Sequence, residues 1–182
     1  MSDKILIISD LHLGNHKAFS SINSNGLNTR LILQLDALRE CATWGINKGC
    51  NKIYILGDIF HKRGLLETEV VNVFNCFLEE LKVFDSIHIN TGNHDVSVYN
   101  NPYFNINNLF DRNDEFCYVY DKVNVVDVYS KNFHVFVPYI DNESGFCRTI
   151  DDFILSHSII KRNTILFIHQ NIDGAYQLNN MI

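Results

Sequence analysis

Asp10 and His12 flank a single leucine, Asp58 follows Gly57, Asn93, His94 and Asp95 follow Gly92, and His169 stands behind an apolar run. Carboxylate and amide oxygens with imidazole nitrogens are ligands for divalent metal ions. Supplied together, they are what a two-metal phosphoester-cleaving centre needs. Each group also has an ordinary reading. An Asp-x-His pair or a Gly-Asp dipeptide occurs by chance in many chains, and Asn-His-Asp after a glycine is familiar turn chemistry. Their order argues for one site, because each group closes a stretch that reads as a buried strand.

Those stretches are Ile5 to Ile8, Ile53 to Leu56, Ile87 to Ile89 and Thr164 to Ile168. Between the first two, Leu31, Leu35, Leu38, Ala42 and Ile46 recur at helical spacing over residues 29 to 48, with Thr29 as N-cap and Gly49 as stop. A second helix is expected over residues 67 to 83, with Val70, Val73, Phe74, Phe77 and Leu81 inward. Strand, helix, strand, helix, strand gives two βαβ units and a parallel sheet, with the polar groups at its carboxyl edge. On a strand, residues two apart share a face, so Asp10 and His12 can hold one ion together. Asp58 has two oxygens with which to bridge a pair of ions, and Gly57 lets the backbone turn there. Asn93 and His169 supply neutral oxygen and nitrogen donors suited to the second ion.

The second half differs. Residues 117 to 137 hold short runs rich in Tyr, Val and Phe, read as adjacent antiparallel strands of a second sheet, and residues 147 to 161 read as a helix. The polar, asparagine-rich segments 13 to 28 and 95 to 108 are expected to be the least regular and to rim the site.

At 182 residues, 46% hydrophobic and 20% charged, the chain is of single-domain size with a globular composition. Its net charge of -6 provides no global basic field for nucleic acid, although acidic metal ligands contribute to that sum. Five scattered cysteines, none in a Cys-x-x-Cys pair, read as buried free thiols in a reducing compartment. The N-terminal apolar run is too short for a signal or membrane segment, so a cytoplasmic or host-cytoplasmic location is expected.

In order, Asp10-x-His12, Gly57-Asp58, Gly92-Asn93-His94-Asp95 and His169 resemble the first four motifs of the calcineurin-like metallophosphoesterase superfamily. Ser9-Asp10-Leu11-His12-Leu13-Gly14, Gly57-Asp58-Ile59-Phe60-His61 and Val137-Pro138-Tyr139 resemble its nuclease branch, the SbcD-type nucleases and their phage and meiotic-recombination relatives. The resemblance implies an α/β fold, an αββα sandwich with two mixed sheets. It also implies DNA phosphodiester hydrolysis, as exonuclease and endonuclease, in repair or recombination.

By that resemblance, Asp10, His12 and Asp58 hold a first ion and Asp58, Asn93 and His169 a second. Manganese is the expected metal, with magnesium, iron and zinc as alternatives. His94 protonates the leaving oxygen, Asp95 orients the His94 imidazole, and His61 lies near the scissile phosphate. Lys62 and Arg63 are candidate phosphate contacts, and solvated loop residues on the ordinary reading. The implied partners are DNA and a coiled-coil ABC-type ATPase of the SbcC type, with a homodimer left open and no membrane.

One departure stands out: no Gly-His-x-His motif follows His169 to close the site. His88 and His134 alternate with apolar residues and read as sheet or core histidines, leaving His16 as the one surrogate ligand to test. A truncated catalytic domain over residues 1–182 is therefore expected, with no capping or DNA-recognition domain. It reads as a fragment, a split-gene half or a degenerate homologue. A phosphatase or cyclic-nucleotide phosphodiesterase, and a non-catalytic binding module, are the competing functions.

Overall fold

The computed structural model describes residues 4–97, 105–111, 116–127, 133–156 and 164–171. β1 (Ile5–Ile8), α1 (Thr29–Asn47), β2 (Lys52–Leu56), α2 (Thr68–Glu80) and β3 (Ser86–Asn90) follow in the expected alternation. β4 (Cys117–Tyr120) completes a four-stranded sheet in the order β1-β2-β3-β4, parallel throughout among the described residues. β5 (Asn124–Asp127), β6 (Phe133–Val137) and β7 (Thr164–Ile168) form the second sheet. There β5 runs antiparallel to β6 while β7 runs parallel to it, and α3 (Glu143–Ser156) connects those two.

Alternation along the strands sorts side chains into three interfaces. Ile53, Ile55, Ile87, Ile89 and Cys117 face α1 and α2, where Leu31, Leu35, Phe74 and Phe77 bury them. Tyr54, Tyr120, Phe136 and Phe167 fill the space between the sheets. Val135 and Val137 face Phe153 of α3. Helix, sheet, sheet, helix is the result: an αββα sandwich. Each fully buried Leu, Ile or Phe contributes about 1.5–3 kcal/mol relative to exposure.

The two helices follow their apolar periodicity, with differences in detail. Asn28, not Thr29, caps α1, its side-chain oxygen accepting from the N–H groups of Arg30 and Leu31. Ile46 is exposed, and Gly45 occupies the inner face instead because Leu6 leaves no room there for a Cβ. Gly49 ends the helix at φ 77°, as a residue free of Cβ allows. In α2, Val70, Phe74 and Phe77 are buried, joined by Leu78, with Val73 only half-buried, and Leu81 is buried in the 3₁₀ turn that follows.

Two further expectations are corrected and a third is refined. β4 does not join the second sheet: it pairs in parallel with β3, Ile87 opposite Cys117 and Asn90 opposite Tyr120. The segment 13–28 holds no helix or strand, as expected, yet it is tied down by bridges and hydrogen bonds. Leu13 bridges Phe60, while Ser20 Oγ and Asn28 Nδ2 both donate to the His16 carbonyl, at 2.6 and 2.8 Å. All five cysteines are free, but Cys117 alone of them is buried. The rest of the helix expected to reach residue 161, and part of the 95–108 loop, lie outside the described residues. No described helix is long and apolar enough to cross a membrane.

Candidate metal centre

β1, β2, β3 and β7 all end at one edge of the sandwich, and the polar groups follow them there. Asp10 and His12 do not sit on β1, as the two-residue spacing suggested. The strand stops at Ile8, and both residues adopt left-handed backbone, φ 55° and 44°. That turn lays the segment against the loop after β2. Asp10 N–H donates to the Gly57 carbonyl at 3.2 Å, His12 N–H to Asp58 at 2.9 Å, and Leu13 N–H to Ile59 at 2.8 Å. The Gln34 side chain donates to the His12 carbonyl at 3.0 Å and steadies the same segment.

Asp58, also left-handed at φ 53°, is buried at the centre. Its Oδ1 lies 3.4 Å from His169 Nε2 and accepts the His94 N–H at 2.8 Å. Its Oδ2 lies 3.5 Å from His12 Nε2. One carboxylate thus presents an oxygen to each side. Potential ligand atoms of His12, Asp58 and His94 lie within 4.8 Å of one another, as do those of Asp10, Asp58 and His169. Asn93 Oδ1, 3.1 Å from His169 Nε2, adjoins the second group. By that reach Asp10 lies beside His169 and His12 beside His94, each pair adjoining Asp58.

Two details fit a cation at this place. His12 Nδ1 is buried with no hydrogen-bond partner. His169 Nδ1 lies 2.8 Å from the Leu56 carbonyl, which can only accept, so that nitrogen carries the proton and the neutral ring turns its Nε2 lone pair towards Asp58 and Asn93. Lone pair then faces oxygen, an arrangement that a cation or a second proton relieves. Burial works against charge on His169, but Asp58, the Leu56 carbonyl and Asp10 outweigh it and push its pKa up to about 9. Burial likewise raises Asp58, yet His169 and the His94 N–H prevail and hold its carboxyl below the usual range. A metal ion would displace the His169 proton.

Asp95 does something other than orient His94. Its fully buried carboxylate accepts from the N–H groups of Asp58 at 2.8 Å, Ile59 at 3.0 Å and Gly92 at 2.9 Å, clamping the loop after β2 to the loop after β3. Burial pushes its pKa up while these donors oppose the shift. The loops meet at two glycines: a Cβ on Gly57 would fall 2.7 Å from Gly92 Cα, and one on Gly92 would collide with Asp58. The group that orients His94 is the His61 carbonyl, 2.7 Å from His94 Nδ1.

Four imidazoles gather on this side. Ring centroids of His12 and His94 are 4.7 Å apart, those of His16 and His61 4.5 Å, and those of His12 and His61 5.9 Å. Burial and the neighbouring histidines lower the His61 pKa. His16 Nε2 lies 3.2 Å from the His12 carbonyl, so it supports the loop. The two candidate phosphate contacts separate. Lys62 is paired with Glu67 at 2.6 Å, whereas Arg63 carries two buried nitrogens, Nε and Nη2, with no hydrogen-bond partner.

The residue match is broad. The calcineurin-like phosphoesterase family model spans residues 3–178. The chain belongs to that family. A search of the curated proteins found no match. Members of the calcineurin-like family are metal-dependent phosphoester hydrolases that typically bind two divalent ions, and the paired ligand groups around Asp58 suit that number. Reading residue types alone missed Ser9, whose hydroxyl donates to Asp10 Oδ2 at 2.6 Å, and Gln170, which lines the metal cavity beside His169. Their only signal was adjacency to a ligand. His88 and His134 do lie away from the site: they hydrogen-bond to Tyr120 and Tyr54 between the sheets.

Proposed function

We propose that this phosphoesterase is a nuclease, a metal-dependent phosphodiesterase that hydrolyses DNA in repair or recombination. The observation that carries this reading is the pair His61 and His94, arranged beside the shared carboxylate on loops whose sequences resemble the nuclease branch. Two bound divalent ions would supply a hydroxide at neutral pH and positive charge for the phosphoryl oxygens. Asp10, His12, Asp58, Asn93 and His169 are the residues that would hold them. His94, its Nδ1–H given to the His61 carbonyl, would serve through Nε2 as proton donor to the leaving oxygen. Of the two candidate phosphate contacts, Arg63 is favoured over Lys62, whose ammonium Glu67 already engages. By the same resemblance the working partner is a coiled-coil ABC-type ATPase, and manganese the preferred metal.

The test is cleavage of linear single- and double-stranded DNA with manganese. Asp58→Ala should abolish it together with metal binding. His94→Ala should keep the metal and lose roughly 10²–10⁴-fold in turnover; loss of the metal instead would make His94 a ligand, as its position within reach of His12 and Asp58 also allows. Hydrolysis of a phosphate monoester or a cyclic nucleotide with no action on DNA would replace the nuclease reading by the phosphatase one. DNA binding without any hydrolysis would leave a binding module.

A further inference from the structure

A second cavity, about 430 Å³, adjoins the metal cavity of about 360 Å³. Tyr139 lines both and is the wall between them. The remaining walls of the second cavity are largely apolar: Val96, Val123, Pro138 and Ile140, with Thr149 of α3. Asp121, Lys122 and Asp141 supply charges of both signs.

The wall is fixed at both ends. Tyr139 N–H donates to the Thr91 carbonyl at 2.9 Å, and its hydroxyl donates to Asp141 Oδ1 at 2.9 Å. Behind it, Gln170 Nε2 donates to the Ile140 carbonyl at 3.0 Å, and Ile140 N–H donates to Gln170 Oε1 at 3.4 Å. Gln170 follows His169 directly, so the second cavity and that metal ligand are held at one offset.

We infer that this cavity takes the nucleoside attached to the scissile phosphate, lodged beyond Tyr139 while the phosphate lies at the metal centre. The inference rests on the phosphodiesterase reading and narrows its substrate class. The volume is in the range of small organic ligand sites. Apolar walls with one aromatic side suit a flat heterocycle, and mixed charges suit its polar edge and the sugar hydroxyls. Two carboxylates against one lysine make a poor seat for a second phosphate. An uncharged nucleoside meets all three conditions.

The experiment is methyl NMR of the whole chain, titrated with thymidine and, separately, with inorganic phosphate. Thymidine should shift the methyls of Val96, Val123 and Ile140 saturably, and phosphate should leave them in place. Thr149→Phe, which fills the cavity, should weaken thymidine at least tenfold, its fold checked by the undisturbed methyl signals. If that variant misfolds, Val123→Trp fills the cavity from another wall. Turnover gives a second reading. The kcat/KM ratio of thymidine 5′-(4-nitrophenyl phosphate) to methyl 4-nitrophenyl phosphate should fall about tenfold on filling. Absence of saturable thymidine shifts, or a binding constant and ratio unmoved by both variants, overturns the inference. If neither ester is hydrolysed, the phosphodiesterase reading fails by itself, and the thymidine titration still decides the cavity.

Discussion

Asp10, His12 and Asp58 all hold left-handed backbone, a region that costs an ordinary L-residue about 1–2 kcal/mol, less for Asp. The fold spends stability to aim three side chains at one point. Asp10→Gly in metal-free protein should therefore unfold at higher urea, with a gain of up to about 1 kcal/mol, while manganese affinity drops at least tenfold. A lower urea midpoint would mean that the turn is unstrained. At this scale the ligands were legible because residue type and order carry metal chemistry directly. The backbone that presents them was not, since φ of 55° and 44° at Asp10 and His12 replaces the strand alternation expected there. The role of Asp95 was hidden as well. Two of its three partners are backbone N–H groups of Asp58 and Ile59, more than thirty residues away, and backbone leaves no mark in a motif.

Among elements, the contact between the loops after β2 and β3 is the most demanding. Gly92→Ala would drive a Cβ into the backbone and carboxylate of the buried Asp58. A cost of about 2–4 kcal/mol is expected, with loss of metal binding, read from thermal unfolding and calorimetry. An unchanged melting temperature would show that the loops can part. The first five elements were readable because strands apolar on both faces and helices with one apolar stripe have distinct periods. β4 was misplaced for a local reason. Cys117 and Val119 suit the face towards the helices and Tyr118 and Tyr120 suit the space between sheets, so its composition fits either sheet. Only the parallel register with β3 decides.

The sandwich as a whole is held by an intersheet layer that contains titratable groups. His88 is buried between Ser86 and the Tyr120 hydroxyl, with Tyr54, Tyr118 and Phe136 around it, and Lys52 and His134 as titratable neighbours. Burial lowers its pKa to about 4, and those two neighbours add to the shift. The unfolded chain binds this proton near pH 6.5, so between pH 6.5 and 4 it holds more protons than the folded one. The stability contributed is present above pH 6.5 and lost as pH falls to 4, by up to about 3 kcal/mol. Urea titrations across that window should show a steeper loss in wild type than in His88→Gln; parallel curves would remove His88 from the account.

At the site end of the same sandwich, the loops after β2 and β3 are joined by the Asp95 carboxylate, which accepts from Asp58 and Ile59, and by the His94 N–H on Asp58 Oδ1. A frame assembled in this way does not have to fold around its occupant. Entry of a metal should then give little change in heat capacity, and one ion should exchange for another without passing through an unfolded loop. Imidazole favours zinc and iron, carboxylate favours magnesium and manganese, and this frame offers both. A choice among them would then be made by exchange of ions in the folded protein, and not while the chain folds.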